Sequence, residues 1–183
     1  MESETLAVIR KGLQHLIDQG WKFSGITVDG RKGTITLIKQ MFPETPIQFC
    51  IFHQKAIIRR NLTTKPKTEC GKEIRILVSF LAFTHEPLFL DCLADIKERY
   101  HDFLEERNEQ KKFMHRKLRS SLRSLTVNAP LLFTWQRYHE LHIPSTTNSC
   151  DGSFAHWKNK VKIHRGLKKT RRAKMIQNLL ANS

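Results

Sequence analysis

Two carboxylates far apart in the chain each mark a boundary between ordered elements. Asp29 lies in Val28-Asp29-Gly30-Arg31, and Asp151 lies in Thr146-Thr147-Asn148-Ser149-Cys150-Asp151-Gly152. Brought together, such acids supply the hard oxygen ligands that hold Mg²⁺ or Mn²⁺ for metal-assisted phosphoryl transfer. Each also has a plain local role. Asp-Gly after a strand is a turn signal. An acid three residues after a capping Asn148 suits the first turn of a helix and its dipole. Cys50-Ile51-Phe52-His53 is a third constellation. A structural zinc site needs four ligands, and no second Cys or His pair has matching spacing. Cys50 therefore reads as a buried structural residue. His53 reads as a first-turn helix residue facing the rim of a site.

The charge surrounding these groups is uneven. The 183 residues carry a formal net charge of +15. Up to Gln110 there are 16 Lys and Arg against 15 Asp and Glu. From Lys111 onward there are 16 against only Glu140 and Asp151. A basic half joined to a near-neutral half points to a polyanionic partner. The phosphate-contacting candidates are Arg31 and Lys32, then Lys158, Lys160, Lys162, Arg165, Lys168, Lys169, Arg171 and Arg172. A second basic face runs from Lys111 to Arg123. Side chains of this kind position a phosphate backbone and carry little base readout. No stretch approaches the roughly 18 uninterrupted apolar residues of a membrane span. The four cysteines show no paired spacing and fit reduced thiols.

The elements that must hold these groups follow from periodicity. Leu6, Ile9, Leu13, Leu16 and Ile17 make one helical stripe over Glu4 to Gln19, ended by Gly20. Trp21 to Val28 reads as a strand, and Gly33 to Met41 as a short helix. Ile47 to Phe52 reads as a second strand, apolar enough to be buried on both faces, and His53 to Leu62 as a helix. The order predicts an α/β core with helix-covered strands. Two visible strands are a marginal sheet, and an unpaired apolar edge would favour self-association into a homo-oligomer.

From Thr68 to Tyr138 the signal is helical throughout. The stripes are Ile74, Leu77, Val78 and Leu81, then Phe89, Leu93, Ile96, Tyr100 and Phe103, then Leu118, Leu122 and Leu125, punctuated by Pro87 and Pro130. The middle helix is acidic on its outer face and unsuited to a phosphate backbone. Beyond Pro144 a turn leads into a helix with Phe154, Trp157 and Val161 on one side. Gly166 separates it from a last, basic helix. The expected organisation is an α/β segment over 1–66, a helical insertion over 67–143, and a third segment over 144–183 that carries Asp151 and completes the core.

In combination these residues resemble the carboxyl-terminal part of a DDE transposase of the Mutator-like type from bacterial insertion sequences. The match runs in order through Gly25-Ile-Thr-Val-Asp29-Gly30-Arg31-Lys32-Gly33, Gln48-Phe-Cys50-Ile-Phe-His53-Gln54, Leu62-Thr-Thr-Lys-Pro-Lys67, Leu131-Leu-Phe-Thr134 and Pro144-Ser-Thr-Thr-Asn148-Ser-Cys-Asp151-Gly152. It covers nearly the whole chain.

The resemblance implies a partial RNase H-like core, with strands near 22–28 and 47–52 and a helical insertion between the second and third acids. It implies Asp29 as second acid and Asp151 at the place of the third, where the family usually has Glu. It implies Mg²⁺ or Mn²⁺ as cofactor, insertion-sequence DNA ends as partner, and a bacterial cytoplasmic, nucleoid-associated setting. His53 would lie near the scissile phosphate, with Cys50 and Asn148 in supporting roles. No residue here matches the family's first aspartate, so the expected behaviour is DNA and metal binding without strand transfer by the chain alone, as in a truncated remnant. The competing expectation is a non-catalytic basic nucleic-acid-binding module in which both acids serve only as turn and cap. A metal-dependent nuclease acting on structured DNA is a weaker third.

Overall fold

The computed structural model describes residues 5–31, 33–163 and 166–181, with only the backbone described at 149–151, 153, 156–157, 169 and 179–181. It divides into two compact units, Met1–Thr146 and Thr147–Ser183.

In the first unit α1 spans Leu6–Asp18. The Thr5 hydroxyl accepts the Val8 N–H at its start, and Gly20 follows its end at φ 84°. Strand β1 (Ile26–Val28), helix α2 (Thr34–Met41) and strand β2 (Ile47–Phe49) make a parallel pair joined by a crossover helix. The register sets Ile26 beside Ile47 and Val28 beside Phe49. All three residues of β2 are buried, as its apolar composition predicts.

Both strands are shorter than their composition suggests. The residues from Trp21 to Gly25 stay outside the ladder. The Pro46 carbonyl takes the Ile26 N–H, and a proline has no N–H to extend the pairing. Phe23 instead packs edge-on against Phe42 at 5.1 Å, and Trp21 is exposed. At the other end, Cys50 caps α3 (Ile51–Leu62), so Ile51 and Phe52 are helical. The Ile51 N–H is taken by the Ser145 carbonyl at 3.0 Å.

The helices that follow are α4 (Glu69–Ser79), α5 (Glu86–Arg99), α6 (His101–Glu105), α7 (Arg116–Leu132) and α8 (Thr134–Arg137). The expected stripes face inward, with Ile74, Val78, Leu81, Phe89, Leu93, Ile96, Leu118, Leu122 and Leu125 all buried. Pro87 occupies the first turn of α5, where its missing N–H costs nothing. Pro130 lies inside α7 rather than beyond it. The helix runs one more short stretch, so that Leu132 and Phe133 reach the core.

One hydrophobic cluster joins Phe49, Ile51 and Ile58 to the helices down to Phe133. A smaller one gathers Val28, Ile38 and Ile47. Ile35 and Leu131 pack against both clusters and so link the α/β segment to the helices within the first unit.

In the second unit α9 (Asn148–Ile163) and α10 (Lys169–Ala181) pack on one another. Among the described residues no helix is long and apolar enough to cross a membrane.

Candidate functional site

The carboxyl end of β1 presents Asp29, exposed, with its Oδ1 accepting the Arg31 backbone N–H at 3.0 Å. This Asx-type turn is the local role expected of an Asp-Gly pair. Gly30 makes it possible. Its φ is 80°, and a Cβ there would meet Phe49 Cζ at 2.0 Å and Cε2 at 2.2 Å. The Phe49 ring, fixed in the core by β2, thus packs directly against the Gly30 backbone and sets the turn that carries Asp29.

Asp29, Arg31, His53, Ala56, Ile57 and Arg60 surround a hollow of about 450 Å³ at the strand ends. His53 enters from the first turn of α3, where Cys50 is fully buried as the capping residue. His53 Nδ1 is buried with no hydrogen-bond partner among the described residues, a hydrogen-bonding position that a ligand or water would satisfy.

No sequence motif marks Arg60. Its signal was helical spacing, since His53, Ile57 and Arg60 fall at i, i+4 and i+7 on one face of α3. The last residues of the first unit are fastened to the same strand ends. The Thr27 hydroxyl donates to the Pro144 carbonyl at 2.6 Å, and the Ser145 carbonyl accepts from Ile51.

In the second unit Asn148 is the first residue of α9, one position inside the expected cap. Asp151 lies in the opening turn of α9, and its side chain is outside the described residues, as is that of Lys169. Lys32 and Arg165 also lie outside the described residues. Lys158, Lys160, Lys162, Lys168 and Arg171 are exposed, and Arg172 is half-buried. From Thr147 to the end there are nine Lys and Arg against Asp151 alone.

The first unit's hollow does not by itself fit a divalent ion. Mg²⁺ takes several oxygen ligands, whereas one carboxylate stands here among two arginines and a histidine. Among the described residues, no group of three or more His, Cys, Asp or Glu side chains comes together. The local chemistry suits an anion: guanidinium groups bind phosphate oxygens, often two at a time.

The class these features define is a mostly helical α/β protein with, among the described residues, one two-stranded parallel sheet and an arginine-lined, acid-bearing hollow at the strand ends. No protein-family model, curated protein or solved structure matches the chain.

Proposed function

We propose that the chain is a DNA-binding polypeptide of the DDE transposase kind, with Asp29 and Asp151 as two of its acids and an RNase H-like arrangement of its strands. The observation that carries the reading is the placement of Asp29. It is exposed at the carboxyl end of the half-buried parallel strand β1, where α/β sheets bind ligands, beside His53 and Arg60. The arginines and the orphaned His53 nitrogen suit a phosphodiester. The basic second unit supplies sequence-independent attraction for the rest of the strand.

Asp29 alone is an insufficient donor set for magnesium, and the reading assigns Asp151 as its second acid. With two acids in place of three, the chain by itself is expected to bind insertion-sequence ends without joining them.

A second reading has a specific observation in its favour. Asp29 already caps its own turn through the Arg31 N–H, as it would in a basic nucleic-acid-binding module with no metal.

Calorimetric titration of Mn²⁺ into the full chain and into Asp29→Ala and Asp151→Ala separates the two readings. Anisotropy on terminal-repeat and scrambled duplexes is measured in parallel. The transposase reading expects both substitutions to weaken metal binding, and repeat-bearing DNA to bind more tightly. Metal binding indifferent to both substitutions, with DNA still bound, leaves the module. A chain that binds no DNA at low salt overturns both.

A further inference from the structure

Helix α7 buries Leu118, Leu122, Leu125 and Leu132 in the main core. Its flank toward α5 and α6 opens into a groove of about 660 Å³. The groove lies in the first unit and shares no lining residue with the hollow at Asp29. Leu104 and Leu122 close its back from the core, and Val127, 66% exposed, offers the apolar surface. Lys97, Arg116 and Arg123 stand around that surface, and no acidic residue lines it. None of these three cations has a hydrogen bond or ion pair among the described residues.

Their neighbour Arg119 shows the contrast. It pairs with Glu105, donates to the Leu104 carbonyl at 3.0 Å, and lies over the Phe113 ring at 3.6 Å. One arginine of the groove is thus neutralised and ordered, while three cations face open space around exposed hydrocarbon. Like charges held together without counter-charges repel, and they favour an anion that brings them one.

The occupant must be anionic and must also cover an apolar floor. An unpaired nucleotide has both properties, a charged phosphodiester and a base with apolar faces. Arg116, Ser120 and Arg123 recur at i, i+4 and i+7, a row of donors along one wall of about 10 Å. Guanidinium forks match phosphate oxygens bidentately. A long polyanion also gains from the rest of the chain's positive surplus, which a short acidic peptide cannot span.

We propose that this groove seats unpaired nucleotides of a nucleic-acid strand, phosphates on Lys97, Arg116 and Arg123 and bases against the exposed Val127 side of its wall. The proposal rests on the DNA-binding reading above, and it adds a distinct preference for single strands at a site with none of the Asp29 hollow's residues.

The test uses the full chain, a labelled oligothymidylate, an abasic strand and a duplex of equal length. Anisotropy is followed across a salt series. The variants are Arg116→Ala/Arg123→Ala and Val127→Glu, all at exposed positions, with circular dichroism confirming the fold. The double variant is expected to weaken oligothymidylate binding by roughly tenfold and to flatten its log K against log salt slope by about 1.4, two single-strand phosphate contacts. Duplex binding should change far less. Val127→Glu should weaken oligothymidylate binding, and the abasic strand should bind the unaltered chain more weakly than oligothymidylate does.

Equal losses for duplex and single strand would make the arginines general phosphate contacts and overturn the proposal. So would unchanged oligothymidylate binding in both variants, including the case where they lose a labelled acidic amphipathic peptide instead. If the unaltered chain binds duplex but not oligothymidylate, the groove proposal fails while the DNA-binding reading stands.

Discussion

The Trp135 backbone N–H donates to Gln48 Oε1 at 2.9 Å, across 87 residues of sequence. The same amide uses its Nε2 on the Leu132 carbonyl at 3.0 Å and on the Phe49 carbonyl at 2.6 Å. Beside it the Thr134 hydroxyl donates to the Ile47 carbonyl at 2.8 Å. The carbonyls of β2 that lack a strand partner are thus met by side-chain donors rather than by another strand. That closes an edge which would otherwise leave buried acceptors empty.

Gln48 is fully buried, so its replacement by Leu would keep the volume while stranding the Trp135 N–H and the Leu132 and Phe49 carbonyls. A buried unsatisfied group costs about 1–3 kcal/mol. Gln48→Leu is therefore expected to lower stability by about 2–4 kcal/mol in urea unfolding. A loss below about 0.5 kcal/mol would mean that the amide's desolvation cancels its bonds.

Gly30 and Gly12 should respond oppositely to the same change. At Gly30 an added methyl meets the Phe49 ring well inside contact distance, at a positive φ. Gly30→Ala should cost about 2–4 kcal/mol from overpacking and left-handed strain, and it should also disturb the hollow beside Asp29. Gly12 lies within α1 with nothing within 4 Å of a built Cβ. Gly12→Ala should stabilise by about 0.5–1 kcal/mol. Thermal unfolding of the pair checks both. Similar shifts for the two would sink the claim that Phe49 packing fixes the Asp29 turn.

The strand and helix limits show which features were local and which were not. Asp29-Gly30 was legible because a turn at a strand end is written in adjacent residues. The helical stripes were legible because Leu118, Leu122 and Leu125 repeat at the helical period. The strand-to-helix junction was not. Phe49, Ile51 and Phe52 form one apolar run, and the boundary within it is set by the Ser145 carbonyl far down the chain. Phe23 and Gly25 have strand-like neighbours, yet Pro46 denies them a partner. Gln48 looks like a polar misfit inside a buried strand until Leu132 and Trp135 are placed beside it. Of the candidate site, Asp29 and His53 could be named from motif. Arg60 needed the three-dimensional face of α3.

Low pH should weaken the chain partly through Glu73. Its carboxylate accepts from Arg99 at 3.1 and 2.6 Å and from the Tyr100 hydroxyl at 2.7 Å. The Arg99 bonds first, and the Tyr100 bond second, hold it below the ordinary glutamate range. A depressed folded-state value means that the unfolded chain binds the proton more readily. The stabilisation is therefore full above the ordinary value of about 4.3 and is lost as pH falls through the lower folded value. Tyr100→Phe removes one of the two causes. Its stability should drop less steeply below about pH 4.5 than that of the unaltered chain. Urea midpoints across an acid series give the comparison, and parallel curves would exclude the Tyr100 contribution.

Salt dependence tests the role of the second unit. Its surplus comes from nine Lys and Arg against Asp151, and the exposed members are not equivalent. Lys158 and Lys162 stand at i and i+4 on one face of α9, while Lys160, two residues on, points to a different face. A duplex lying along α9 can engage the paired face without the other. Each phosphate neutralised contributes about −0.9 to the slope of log K against log salt. Lys158→Gln/Lys162→Gln should therefore flatten that slope by about 1.8, and Lys160→Gln alone by clearly less than 0.9. Anisotropy titrations of a duplex at several salt concentrations measure all three slopes. If the double variant keeps the original slope, α9 does not hold the phosphate backbone, and the attraction must come from α10 or the first unit. If Lys160→Gln matters as much as either paired lysine, contact is diffuse around the helix rather than along one face.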